Sequence, residues 1–301
     1  MQLKKFLIKL HLCKGIGCHS EAKFWNWWQT YHSNETNCDL TVSDLVSLGF
    51  IRPQNRTQFS NDFTSTRLET AVKRHLSEVK ILAICDPNYP TQLKEAYLAP
   101  IILFYQGTLE LLEYPLLGVV GARLANQYGQ DSLQALLPTV IEQNIAVISG
   151  LAAGIDELSH KETLRQHGYT IGVIGTGLNR YYPRKNMALQ KYMAKNQLIL
   201  SEYPLDSGPQ RHHFVERNRI IAGLCETLCV IQAKQRSGSL ITANLALQNN
   251  RNVLAVPGKI NDSLSVGCNE LIVAGAKPVL NSKHIIEEFR FDRIPNMKYD
   301  Y

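Results

Sequence analysis

The sequence predicts an α/β fold, a largely parallel sheet with helices on both faces, preceded by a small all-α N-terminal module. Three observations carry it. Apolar residues near the start recur at helical spacing: Leu3, Leu7 and Leu10, then Phe24, Trp27 and Trp28, then Leu40, Leu45 and Leu48. From Lys80 onward, short β-branched runs bounded by turn residues alternate with helical stretches, the pattern of a parallel sheet covered on both sides. The composition, 45% hydrophobic and 19% charged over 301 residues, supports a buried core and excludes a disordered chain. The expected organisation is a helical module over 1–77, a sheet domain over 78–290 and a tail over 291–301.

In the helical module, Cys13-Lys-Gly-Ile-Gly-Cys-His19 reads as a glycine connection between packed helices, in preference to a helix-hairpin-helix grip on a DNA backbone. Trp25, Trp27 and Trp28 read as packing residues, because base-stacking aromatics normally line a basic groove. The strands are expected at 81–84, 101–105, 116–120, 145–148, 170–174, 198–200, 228–231 and 253–256. Helices are expected at 127–142, 156–167, 186–195, 217–223 and 240–249. No internal repeat interrupts this order.

The longest stretches free of Asp, Glu, Lys and Arg run 14 residues, short of the roughly 18 a membrane span needs. Lys9, His11 and Lys14 break up any apolar signal-peptide core, so a soluble cytoplasmic protein is expected. The seven cysteines contain no C-x-x-C pair, and Cys13 and Cys18 with His11 and His19 lack zinc-site spacing; reduced thiols and no metal are expected.

In an open parallel sheet, ligands bind beyond the carboxyl ends of the strands. Those ends repeat one theme here: Gly121-Ala-Arg123, Ser149-Gly150-Leu-Ala-Ala-Gly154-Ile-Asp156 and Gly175-Thr-Gly177-Leu-Asn179, with the later strands leading into Ser201-Glu202-Tyr203, Gln235-Arg236-Ser237-Gly238-Ser239 and Pro257-Gly258-Lys259. Glycine lets backbone amides approach an anion, and a following helix N-terminus adds partial positive charge. Several such loops suggest several phosphates. The dinucleotide fingerprint and the triphosphate loop are both missing, so hydride transfer and ATP hydrolysis lose support and no cofactor is expected. The net charge is +6, yet the segment 161–236 alone holds twelve basic and five acidic residues. Within it, Arg184 and Lys185 at a strand-to-helix connection, and Arg217 and Arg219 near a helix start, are candidates for phosphate contact, the basis of nucleic-acid binding.

These motifs together resemble the DNA processing protein A family (DprA, also called Smf). The resemblance runs through Gly118-Val-Val-Gly-Ala-Arg123, the 149–156 loop with His160, Ile171-Gly-Val-Ile-Gly-Thr-Gly-Leu178 with Tyr182-Pro183 and Asn186, and Leu200-Ser-Glu-Tyr203. It continues through Arg217-Asn-Arg-Ile-Ile-Ala-Gly223, Ser237-Gly-Ser-Leu-Ile-Thr242, Val256-Pro-Gly258 and Gly267-Cys-Asn-Glu-Leu-Ile272 with Gly275-Ala276. It implies an extended Rossmann-like domain behind a sterile-alpha-motif-like module, with no catalysis. The implied function is that of a single-stranded DNA-binding recombination mediator that protects incoming DNA and loads RecA during natural transformation. Carried onto matching positions, the DNA-binding set is Gly121, Arg123, Ser149, Gly150, Gly154, Gly175, Gly177, Arg184, Lys185, Asn186, Arg217, Asn218, Ser237, Gly238 and Ser239. A homodimer is implied through Asn269, Leu271, Ile272 and Pro278.

The chain departs from the family pattern at Ala122, where a serine is common, at Val215, where a proline is, and at Gln232, where glutamate is frequent. The winged-helix domain that ends many members is not expected in these 301 residues. A competing expectation is a Rossmann-like nucleotide-binding enzyme such as a nucleotide phosphoribohydrolase, with Asp156, Glu202 and His160 as acid, base and orienter. A third is a module that senses a free nucleotide in the same pocket.

Overall fold

Apolar periodicity turns into elements much as expected over residues 1–289, which the computed structural model of the chain describes; the tail expected at 291–301 lies outside them. The helical stretch gives α1 (Leu3–Leu12), α2 (Cys18–Tyr31), α3 (Val42–Ser47), α4 (Arg56–Phe63) and α5 (Thr66–Glu78). Polar residues set two of these starts. Thr41 and Asp44 form a reciprocal capping box on α3, and the Ser65 hydroxyl accepts from the Leu68 amide at 3.2 Å on α5. The apolar faces close on an aromatic cluster of Phe6, Phe24, Phe50, Phe59 and Phe63, with Phe6 and Phe24 centroids 5.4 Å apart. Trp25 and Trp28 are buried and Trp27 is half-buried against Phe24 and Phe50, as packing residues should be.

The strands are β1 (Lys80–Ala83), β2 (Ile102–Gly107), β3 (Leu116–Gly121), β4 (Ala146–Ser149), β5 (Thr170–Ile174), β6 (Leu198–Ser201), β7 (Thr227–Gln232), β8 (Asn252–Ala255) and β9 (Lys277–Pro278). Their order is β1-β2-β6-β5-β4-β3-β7-β8-β9. The β1–β2 pair is antiparallel, whereas β3–β4, β4–β5, β3–β7, β7–β8 and β8–β9 are parallel. The two-residue β9 escapes the sequence pattern because Lys-Pro has no strand propensity; only pairing with Leu254 and Ala255 defines it.

Contacts divide the chain into two units. One comprises Met1–Gln106 with the loops Thr176–Arg180 and Leu200–Gly208; the other comprises Gly107–Gly175, Tyr181–Ile199 and the chain from Pro209, so β6 is shared between them. The first unit also holds α6 (Thr91–Lys94), and the helices of the second are α7 (Gln127–Ile141), α8 (Ile155–Arg165), α9 (Met187–Asn196), α10 (Arg211–Leu224), α11 (Gly238–Gln248), α12 (Val266–Val273) and α13 (Lys283–Ile286). Leu117, Val119, Val147, Cys229 and Ile231 point to one face of the sheet, against Leu133, Leu136, Leu137 and Val140 of α7. On strands, alternate residues point to the other face, where α10 and α11 pack against β3. Helix α10 begins at Arg211, earlier than the expected 217, because His212, His213 and Val215 blur the apolar period there.

Strand order fixes where a ligand can enter. The chain goes outward from β3 through β4 and β5, then returns to place β7 on the other side of β3. This reversal leaves a crevice beyond the ends of β3 and β7, because their outgoing loops turn to opposite faces.

Candidate functional site

A cleft of about 730 Å³ occupies that crevice. Its walls come from residues 120–124 at the end of β3 and beyond it, residues 234–239 at the start of α11, and α10. Among the residues lining it are Arg123, Arg211, Arg217, Lys234 and Arg236, against one carboxylate, Asp156. Five cations around one carboxylate make a site for a polyanion. The first turn of α11 adds to it. Ser237 caps this helix with no side-chain hydrogen bond, its hydroxyl oxygen is buried without a protein partner, and Ser239 and Thr242 line the same wall. The open end of the helix presents unsatisfied amides to the cleft.

An aromatic wall faces these charges. The Tyr182 and Phe214 rings stand 5.0 Å apart, and the Arg123 guanidinium lies 5.7 Å over the Phe214 ring. Tyr182 is 44% exposed, so its ring is open to a ligand.

Structure sorts the expected residues into two groups. Gly121, Arg123, Arg217, Asn218, Ser237, Gly238 and Ser239 line the cleft. The others turn inward or lie elsewhere. Ser149 is buried and donates to the Val119 carbonyl at 2.6 Å. Asn186 is buried, and its side-chain amide donates to the Leu151 carbonyl at 3.0 Å, bracing the loop after β4. Gly154 has φ +80°, and a Cβ there would collide with the Ala122 carbonyl; it allows α8 to start hard against the Arg123 loop. Gly150 leaves room for the Arg217 guanidinium, which would overlap any Cβ at that position. Gly175 lies against the Phe214 ring. The Gly177 amide donates to the Ser207 carbonyl at 2.9 Å, within the first unit. Arg184 and Lys185 are exposed, and Lys185 pairs with Glu157 at 2.8 Å.

Arg217 and Asp156 form the floor. Arg217 is 3% exposed and donates to the Val173 carbonyl at 2.7 Å. Burial pushes the Asp156 carboxyl above its usual range, opposed by the charge of Arg217 and by hydrogen bonds from the Ala152 and Gly150 amides. Those two amides serve the protein's own carboxylate.

Of the three residues offered for an enzyme, Asp156 lines the cleft and the other two do not. His160 is fully buried, bonds through Nδ1 to the Thr170 hydroxyl at 2.6 Å, and is held neutral, its pKa lowered to about 3 by burial and by Arg217. It does not line the cleft. Glu202 belongs to the first unit, where its carbonyl contacts His11. Among the described residues no group of three or more His, Cys, Asp or Glu is placed to hold a metal ion, and no helix is long and apolar enough to cross a membrane.

Sequence reasoning placed Arg236 in a strand-end loop without giving it a contact, and missed Arg211 and Lys234 as cleft residues, together with the Tyr182–Phe214 pair. The charge excess over 161–236 contained the three cations, and Tyr181-Tyr182-Pro183 stood beside Arg184, but nothing in the sequence assigned them to one wall.

The α12–β9 edge holds the residues expected in a dimer interface. Asn269 locks the Gly258 backbone through two reciprocal hydrogen bonds, at 3.2 and 3.1 Å. Leu271 and Ile272 are half-buried and Pro278 is exposed, beside Val273 at 90% and Leu280 at 70% exposure.

Three comparisons agree with this architecture. The family model for DNA recombination-mediator protein A matches residues 80–290. DNA processing protein DprA of Streptococcus pneumoniae is 46% identical over 209 residues, 69% of this chain and 74% of that protein. The X-ray structure of DNA processing protein A from Streptococcus pneumoniae superposes with a TM-score of 0.87 at 35% identity, over 97% of this chain and 100% of that one. A structure of DNA processing protein A from Helicobacter pylori, described for its single-stranded DNA binding mode, gives a TM-score of 0.63 at 28% identity, over 70% of this chain and 94% of that one. The matched motifs, the strand order and these relatives make the chain a member of the DNA recombination-mediator protein A family.

Proposed function

We propose that this chain is a cytoplasmic, non-catalytic mediator that binds single-stranded DNA in the β3/β7 cleft and loads RecA onto incoming strands during natural transformation. The observation that carries the reading is the charge of the cleft, five cations to one carboxylate beside an open helix end. Its two rings fit the reading: every base has a π-face, so stacking tolerates any sequence. The binding mode described for the Helicobacter pylori relative supports it. In this reading Arg123, Arg236, Ser237 and Ser239 contact phosphates, Arg217 and Asp156 shape the floor, and Arg184 and Lys185 extend the path along the strand. The exposed apolar edge of α12 and β9 joins two copies through Leu271, Ile272, Val273, Pro278 and Leu280.

Titration of a labelled oligo-dT at several salt concentrations tests the site. Removing Arg123 and Arg236 together by alanine substitution should weaken binding at least tenfold. It should also flatten the log–log salt slope by about 1.4, two contacts at about 0.7 each on a single strand. Unchanged affinity and slope would relocate the site. Adding the chain to RecA and single strands coated by their binding protein should speed filament growth; no acceleration would defeat the loading role.

A further inference from the structure

The first unit ties its helices to two strand-end loops through a set of side chains that the proposed function does not use. His11, on α1, is 8% exposed at its side chain; its Nδ1 lies 3.0 Å from Glu21 Oε1 on α2 and its Nε2 lies 2.7 Å from the Glu202 carbonyl. Both partners are acceptors, so both ring nitrogens donate and the ring is an imidazolium. On α5, His75 donates through Nδ1 to the Ala71 carbonyl at 2.7 Å and accepts the Leu205 amide at Nε2, 3.2 Å away. Arg74 pairs with Asp206, whose other carboxylate oxygen accepts from Asn179 at 3.2 Å and whose carbonyl accepts from Arg180 at 3.1 Å. The two loops are also bonded to each other, Gly177 to Ser207 and Asn179 to Leu205. α1 and α5 thus hold residues 200–208 at three points, His11 to Glu202, His75 to Leu205 and Arg74 to Asp206, and the hydrogen bonds between the two loops carry that hold to residues 176–180.

The chain leaving the first loop reaches Tyr182 two residues on, and the chain leaving the second continues directly into Pro209, Gln210 and Arg211; all four line the cleft. We propose that the helical module is a positioning device for the cleft, with His11 and Asp206 as positioning residues that hold the roots of its Tyr182 and Arg211 segments. This rests on the single-strand reading above.

Two substitutions test it in the full chain. Asp206 is half-exposed, so Asp206→Ala leaves no buried charge behind. Removing a carboxylate from a polyanion-binding protein should by charge alone tighten binding; a positioning role predicts oligo-dT affinity about three- to tenfold weaker, the scale of a cut side-chain network. His11→Gln should be weaker to a similar degree at pH 7. The groups facing His11 are Glu21 from α2, Glu202 from the loop, His75 from α5 and the Phe104 ring from β2. They leave the His11 pKa raised to about 9, burial being outweighed by Glu21 and Glu202. The gap between His11→Gln and the unaltered chain should therefore close by pH 10, with circular dichroism confirming that both stay folded. If the unaltered chain fails to bind oligo-dT, the single-strand reading and this inference fall together. If it binds, and Asp206→Ala binds as well or better or the His11→Gln gap persists at pH 10, only the positioning role is overturned.

Discussion

Gly154 shows how one residue serves the site without touching a ligand. Its φ of +80° and its approach to the Ala122 carbonyl let Ile155 donate to that same carbonyl at 3.1 Å, which ties the start of α8 to the loop that carries Arg123. Gly154→Ala would add both a strained φ and a collision. Unfolding in urea should show a loss of at least about 1 to 3 kcal/mol; an unchanged midpoint would mean that the loop yields without cost. The glycine was legible in the sequence, but its use was not. Strand-end glycines suggested amides for phosphates, yet the Gly150 amide goes to Asp156 and the Gly177 amide to Ser207. Side chains distant in sequence claim those donors first, and no local pattern reveals that.

At the scale of the element, the start of α7 depends on a buried pair of amides. Asn126 caps the helix by accepting the Gly129 amide at 3.2 Å, and the same oxygen accepts from Gln232 Nε2 at 2.7 Å. Gln232, at the end of β7, is fully buried and its Oε1 accepts the Asn126 amide at 3.4 Å. This gives Gln232 a physical role, because a carboxylate could not donate to the Asn126 oxygen. Gln232→Glu should cost about 1 to 3 kcal/mol at pH 8, the price of a buried acceptor facing another. Protonation restores a donor, so the loss should shrink as pH falls toward 5. A deficit that does not change with pH would mean that Asn126 turns its amide to suit the carboxylate. The sequence also foretold most strand and helix positions, since each rests on local period and turn residues. It did not foretell β9, the short helices α6 and α13, α12, or the early start of α10.

For the whole molecule, charge and pH belong together. The +6 net charge is small, but folding gathers Arg123 with Arg211, Arg217, Lys234 and Arg236 around one cleft. Far from these cations in sequence, His11 links two helices and the Glu202 backbone. Its folded pKa of about 9 exceeds the ordinary 6.5, so its stabilisation is complete below pH 6.5 and declines as pH rises to about 9. The Tm of the unaltered chain should fall across that window more than the Tm of His11→Gln. Parallel curves would show that the imidazolium adds no net stability.

The alternation of strands and helices, the glycine-marked strand ends and the basic middle segment were determined by the sequence itself, because periodicity, turn chemistry and charge are local properties. Which of those ends became the cleft was decided only in three dimensions. Long-range pairing places β7 beside β3 and opens the crevice there, while Asp156, Asn186 and Ser207 close the neighbouring loops with bonds of their own.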